Sequence, residues 1–175
     1  MYILGMNLTV ISYVIFWISR FCKNKKNMLL FDNISRILAI LSFLILHTLD
    51  GVKNTIFVII RNFFGQYLEN KKFIYKFIVF CFLLITMFVM FLFDFSGIST
   101  IFIIICAFFN LFGVIFLDAQ GVRLFGIIGS VFYNAFLFCT KNYAGSLCET
   151  ICMLVMLISL LQYRKLNQKE KLRSC

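Results

Sequence analysis

Of 175 residues, 62% are hydrophobic and 14% charged, against roughly 45–50% and about 25% in a soluble domain, so too little polar surface exists to cover a soluble globule. The net charge of +10 would in a soluble chain raise nucleic acid as a partner. Here the positive charges form short clusters between apolar runs, with no aromatic-interleaved basic face to follow a phosphate backbone.

A chain solvated by lipid must satisfy its backbone internally, which leaves helices or closed barrels. Barrel strands alternate over segments of about ten residues, whereas Phe73–Phe93 is apolar almost throughout. The expected fold is therefore an all-α membrane protein of about seven transmembrane helices. In chain order these fall at about 2–21, 28–49, 52–68, 73–93, 98–117, 122–140 and 143–163, with 164–175 as a basic cytoplasmic tail. The first segment has no basic residue before it and no small-residue cleavage pattern after it, so it is expected to stay in place. A polar stretch from His47 to Asn54 separates helices two and three. Asp94-Phe95-Ser96-Gly97 and Asp118-Ala119-Gln120-Gly121 suit tight turns.

Seven crossings make basic and non-basic loops alternate, as retained cytoplasmic charge requires. Arg20, Lys23, Lys25, Lys26 and Arg36 flank loop one, Lys71, Lys72 and Lys76 loop three, Arg123 loop five, and Arg164, Lys165, Lys169, Lys171 and Arg173 lie in the tail. Only Lys53 and Lys141 fall on the other side, and Arg61 lies inside helix three. The N-terminus is thus expected outside and the C-terminus inside, the weakest link being loop five, where Asp118 opposes Arg123. Proline is absent, so helix bends must come from glycine or from side chains competing for backbone hydrogen bonds.

Asp50-Gly51-Val52-Lys53-Asn54-Thr55-Ile56 looks related to Gly145-Ser146-Leu147-Cys148-Glu149-Thr150-Ile151, with Asn54 and Glu149 matched at an offset of 95. Two parallel three-helix repeats joined by a linker helix, a 3+1+3 arrangement, would give that match. With the polar break before helix three, Arg61-Asn62-Phe63-Phe64, Tyr133-Asn134 and Tyr143-Ala144-Gly145-Ser146 followed by Glu149, the chain resembles the YgjV-type bacterial inner membrane proteins, related to the SWEET and PQ-loop transporters. The resemblance spans nearly the whole chain. It implies a central cavity between two halves and transport of a small polar solute, which it does not name. The missing prolines depart from the helices at which SWEET-like proteins pivot.

Ionisable groups at membrane depth usually face the protein interior or a wet cavity. Glu149 and Arg61 stand out, and with Asn54 and Asn134 they are the expected substrate-binding residues, joined by Thr55 and Asn110. Arg61 is equally readable as a structural clamp or a side chain snorkelling to the inner interface, and the asparagines as helix-packing residues. Counted from the outer face, Arg61 lies about 10 Å deeper than Glu149 at 1.5 Å per residue, which argues against direct contact.

His47, the only histidine, reads as an interface residue. Trp17 and the tyrosines near helix ends fit an aromatic belt. The seven scattered cysteines read as small apolar fillers; Cys148 and Cys152 share a helix face without making a metal site. No cofactor and no enzyme activity are expected. Three readings follow: a transporter-like protein, a six-span substrate-binding S-type subunit of an ATP-driven vitamin transporter, or a structural or regulatory membrane protein. The lipid bilayer is the one certain partner, a homo-oligomer staying open.

Overall fold

The computed structural model describes residues 2–45, 49–93, 97–139 and 143–173. Seven α-helices account for them: α1 (Tyr2–Arg20), α2 (Lys25–Ile45), α3 (Leu49–Tyr67), α4 (Phe73–Phe93), α5 (Ile98–Phe116), α6 (Ala119–Cys139) and α7 (Tyr143–Arg173). His47, expected at the interface, Asp94, expected in a turn, and Lys141, expected in an outer loop, lie outside the described residues. Five helices contain a stretch long and apolar enough to cross a bilayer, namely α2, α4, α5, α6 and residues 146–164 of α7. The 19-residue α1 and α3 are not among those five. α3 is polar because it carries Asp50, Lys53, Asn54, Arg61 and Asn62.

Local chemistry sets several boundaries. Gly97 precedes α5 at φ 83°, a left-handed conformation that glycine adopts without Cβ strain. Asp118 accepts a hydrogen bond from the Gly121 N–H at 2.8 Å, so it caps α6. That cap starts α6 at Ala119, inside the segment expected as a turn, and leaves only Leu117 and Asp118 between α5 and α6. At the other end of the chain, α7 runs on to Arg173, through the segment expected as a tail.

The helices pack as two groups of three. α1 lies on α2 and α2 on α3; α5 lies on α6 and α6 on α7. The groups meet along two seams, α1 against α7 and α3 against α5, while α4 leans on α5 and touches α3. The α3–α5 seam is closed at Gly65, where a Cβ would stand 2.3 Å from Val114 Cγ1. Beside it, Phe57, Leu68, Leu83, Met87, Leu111 and Ile115 form a buried apolar cluster shared by α3, α4 and α5.

Burial is inverted relative to a water-soluble protein. Phe77, Ile78, Phe82, Ile85 and Val89 on α4 are exposed, while Arg20, Lys25, Asp32, Arg61, Asn62 and Arg123 are buried. Exposed aromatic and branched side chains face a solvent as apolar as themselves, and the costly groups are withdrawn into protein.

Candidate functional site

The interior polar site begins at Asp32, about two turns into α2 and 1% exposed. Arg36, four residues on and hence on the same helix face, approaches it through Nε at 3.3 Å. Arg20, at the end of α1, approaches through Nη2 at 3.5 Å. From α3, Asn62 donates through Nδ2 to Asp32 Oδ2 at 2.8 Å and to Asn33 Oδ1 at 3.0 Å. Arg61 in turn donates to Asn62 Oδ1 through Nη2 at 3.0 Å. One carboxylate thus ties α1, α2 and α3 together and holds three guanidinium groups around it. Phe16 on α1 lies under two of them, its ring centroid 4.1 Å from Arg20 Cζ and 5.0 Å from Arg36 Cζ, where the ring's negative face adds attraction.

Glu149 occupies the facing side. On α7, it accepts a hydrogen bond from Ser130 Oγ of α6 and makes no ion pair among the described residues. It lies within electrostatic reach of Arg36 and Arg20, whereas Arg61 interacts with Asp32, Arg36, Arg20 and Cys106. Tyr13 of α1 and Tyr133 of α6 share the same field with Glu149 and Arg36.

Tyr13, Arg36, Cys106, Tyr133 and Glu149 are each half-buried, the Arg36 side chain keeping a third of its surface accessible.

Toward the α1–α2 and α5–α6 connections, the two groups exchange cations. Lys25, first in α2, donates through Nζ to the Leu117 carbonyl at the end of α5 at 2.7 Å. Arg123 of α6 donates through Nε to the Arg20 carbonyl at 2.8 Å and through Nη2 to the Cys22 carbonyl, at the end of α1. Each cation satisfies carbonyls that a helix C-terminus leaves unpaired. The Arg123 guanidinium also sits 4.7 Å from the Tyr163 ring centroid, while Ser159 and Tyr163 donate to the Arg20 and Phe21 carbonyls.

Of the four residues expected to bind substrate, the structure puts Arg61 in the Asp32 cluster and Glu149 against Ser130 of α6. Asn134 instead spans α6 and α7: its Oδ1 accepts from Ser146 Oγ at 2.8 Å and its Nδ2 reaches Thr150 Oγ1 at 3.4 Å. Asn54 is half-buried in α3, about two turns from Arg61 and in none of these contacts. Asn110 donates to its own helix, to the Cys106 carbonyl at 3.0 Å, and Thr55 is buried. Sequence reasoning missed Asp32 altogether. Arg20, Arg36 and Arg123, counted as charges flanking loops, also reach carboxylate and carbonyl acceptors inside the protein. A pocket lined by Ile59, Ile60, Phe63, Phe64 and Tyr67 opens on the apolar side of α3, away from these groups. Among the described residues, no group of three His, Cys, Asp or Glu could hold a metal ion.

Apolar helices exposed all round a charged interior define a multi-pass helical membrane protein, in contact with the lipid bilayer. The chain belongs to the Imp-YgjV family of bacterial inner membrane proteins, whose model matches residues 3–167. No curated protein and no solved structure matches it.

Proposed function

We propose that the protein is a transporter-like carrier of a small polar solute, with two parallel three-helix halves, α1–α3 and α5–α7, joined by α4 around a central polar site. The observation that carries this reading is the polar cluster itself: Asp32 with Arg20, Arg36, Asn62 and Arg61 in one group, and Glu149 with Ser130 in the other, are drawn into protein among apolar helices, where lipid would penalise ionised groups by several kcal/mol each. The helix order supports the 3+1+3 arrangement, since the packing of α1 on α2 on α3 recurs as α5 on α6 on α7 and the seams α1–α7 and α3–α5 exchange under a half-turn. So does the reciprocity of Lys25 on α5 and Arg123 on α1. In this respect the chain is SWEET-like and PQ-loop-like.

In this reading Glu149 and Arg61 take their roles at the polar cluster, while Asn134 holds α6 to α7. The reading contains no catalytic step. Seven crossings put Lys23, Lys26, Lys71 and Lys72 on the cytoplasmic side with the C-terminus, and the N-terminus outside.

Two experiments test the proposal. A reporter fused before Met1 is expected outside, and an inner N-terminus would remove the seven-crossing arrangement. Purified protein in liposomes preloaded with a panel of neutral, anionic and cationic metabolites is expected to exchange at least one of them, with loss on Glu149→Ala. Absence of exchange for every solute would refute transport.

A further inference from the structure

The pocket on α3 stands apart from the charged interior. It has a volume of about 320 Å³ and is lined by Ile59, Ile60, Phe63, Phe64 and Tyr67, within the size range of small-molecule sites. These residues recur at helical spacing along one face, on which Ile60, Phe63 and Tyr67 are exposed. Among the described residues no other helix contributes to the lining, since α4 leans on α5 and only touches α3.

An apolar outer face is ordinary in a membrane protein. This one is also hollowed, and a cation stands at its end: Lys71 Nζ lies 5.2 Å from the Tyr67 ring centroid, where the ring's negative face attracts it. From Ile59 to Tyr67 the pocket follows α3 for about 12 Å at 1.5 Å per residue, most of one leaflet of a hydrocarbon core about 30 Å thick. Past Tyr67 comes the α3–α4 connection, where Lys71 and Lys72 are exposed and make no ion pair among the described residues. Lys76 donates to the Glu69 carbonyl at 3.1 Å. Glu69 is the one acid beside Lys71, Lys72 and Lys76, so this stretch keeps a net positive charge. Tyr67 and Tyr75, both exposed, mark the headgroup level at which tyrosine collects.

A hydrocarbon slot that ends at two uncommitted ammonium groups matches a molecule with an acyl chain at one end and an anion at the other. We infer that this face of α3 is a binding site for an anionic phospholipid, with one acyl chain in the pocket and the phosphate on Lys71 and Lys72. A zwitterionic lipid brings its own cation to the same lysines and gains less from them. A second copy docked through this face about a two-fold axis would set the same lysines against each other. The inference is independent of the carrier reading, because pocket and lysines lie outside the polar cluster.

Full-length protein in mild detergent is stripped of lipid and titrated, under native mass spectrometry, with three probes: phosphatidylglycerol, phosphatidylcholine of the same chains, and glycerophosphoglycerol, the anionic headgroup without chains. The expected result is one phosphatidylglycerol held about tenfold more tightly than phosphatidylcholine, with glycerophosphoglycerol not retained. Lys71→Gln with Lys72→Gln should erase the preference. Lys26→Gln with Arg164→Gln removes the same charge from exposed positions elsewhere and should leave the preference intact. Ile60→Ala with Phe63→Ala should weaken both lipids. Each variant is checked by helical circular dichroism and a cooperative melt. Equal retention of the two lipids by wild-type protein overturns the inference, as does an undiminished preference in the folded Lys71 and Lys72 variant or an equal loss in the Lys26 and Arg164 variant. Retention of glycerophosphoglycerol as tight as that of phosphatidylglycerol, or unchanged lipid binding in folded Ile60→Ala, Phe63→Ala protein, removes the acyl chain from the pocket and overturns it too. A dimer that the Ile60 and Phe63 variant breaks, and that holds no phosphatidylglycerol, gives the face to a second copy instead.

Discussion

The two groups of three helices follow the same packing order but are held together by different chemistry. In α1–α3 the binding is ionic: Asp32 collects Arg20, Arg36 and, through Asn62, Arg61. In α5–α7 no ion pair joins the described residues, and the contacts are close approach, aromatic rings and the α6–α7 hydrogen bonds of Ser130 and Asn134. Gly129 lets α6 approach α5 until its Cβ position stands 2.5 Å from Asn110 Nδ2, and Phe109 stacks on Phe132 with ring centroids 5.8 Å apart. Close approach through small residues is the general means of joining helices in lipid, where no hydrophobic driving force acts between them. A buried charge cluster adds little net stability. Its presence in only one group therefore points to a role other than holding helices together.

The largest effect expected from breaking this contrast is at Asp32. Asp32→Asn keeps the shape and one acceptor oxygen but leaves three guanidinium groups uncompensated, so α1–α3 should lose about 3–5 kcal/mol. Unfolding of purified protein in mixed detergent micelles measures it. Adding Arg36→Gln should recover part of the loss, because one stranded cation is removed with the anion. If Asp32→Asn melts like wild type, the cluster is not held by charge.

Second in size are the cations exchanged between the groups. Arg123 is fully buried and makes two hydrogen bonds to α1 carbonyls, whereas Lys25 makes one to α5. Hydrogen bonds from charged donors contribute about 1.5–3 kcal/mol, so Arg123→Gln should cost about 2–3 kcal/mol and Lys25→Gln about half of that. Equal losses would mean that Arg123 gains nothing from its second carbonyl or from the Tyr163 ring.

Much of the fold was readable from the sequence because a run of about twenty apolar residues has one solution in a bilayer. Membrane helices, their order and the polarity of α3 follow from that. The candidate site was only partly readable. Glu149 and Arg61 were visible as charges at depth, yet Asp32 and Arg36 gave the same signal, an acid and a base four residues apart inside the apolar run that starts at Met28. Counting basic residues near helix ends assigns Arg36 to a loop without asking whether a carboxylate lies one turn before it. What no single helix discloses is that Arg20, Asn62 and Asp32 converge, because that depends on the packing of three helices. The exchange of Lys25 and Arg123 was hidden for the same reason: its acceptors are backbone carbonyls, which every residue has.

Within α5–α7 the expected losses are smaller. Gly129→Ala places a methyl group against Asn110 Nδ2 and 3.2 Å from the Cys106 carbonyl. Overpacking of this kind costs about 1–3 kcal/mol, and the lower half of that range is expected because the amide end can move. Combining it with Asn110→Ala should return most of the loss, a coupling that a double-mutant cycle isolates. No recovery would place the strain on the backbone oxygen instead.

The smallest effect is expected at Asn134, and it separates helix packing from ligand binding. Asn134 accepts from Ser146 across α6 and α7, and interhelical hydrogen bonds in membranes average only about 0.6 kcal/mol. Asn134→Ala should therefore lower the melting free energy by about that amount and leave solute exchange unchanged within about twofold, since its bonds run along the α6–α7 seam. Asn134→Ala is compared with Ser146→Ala by unfolding and by solute exchange in liposomes. Matching stability losses with unchanged exchange assign Asn134 to the seam. A selective loss of solute response in Asn134→Ala alone would move it back among the residues that contact solute.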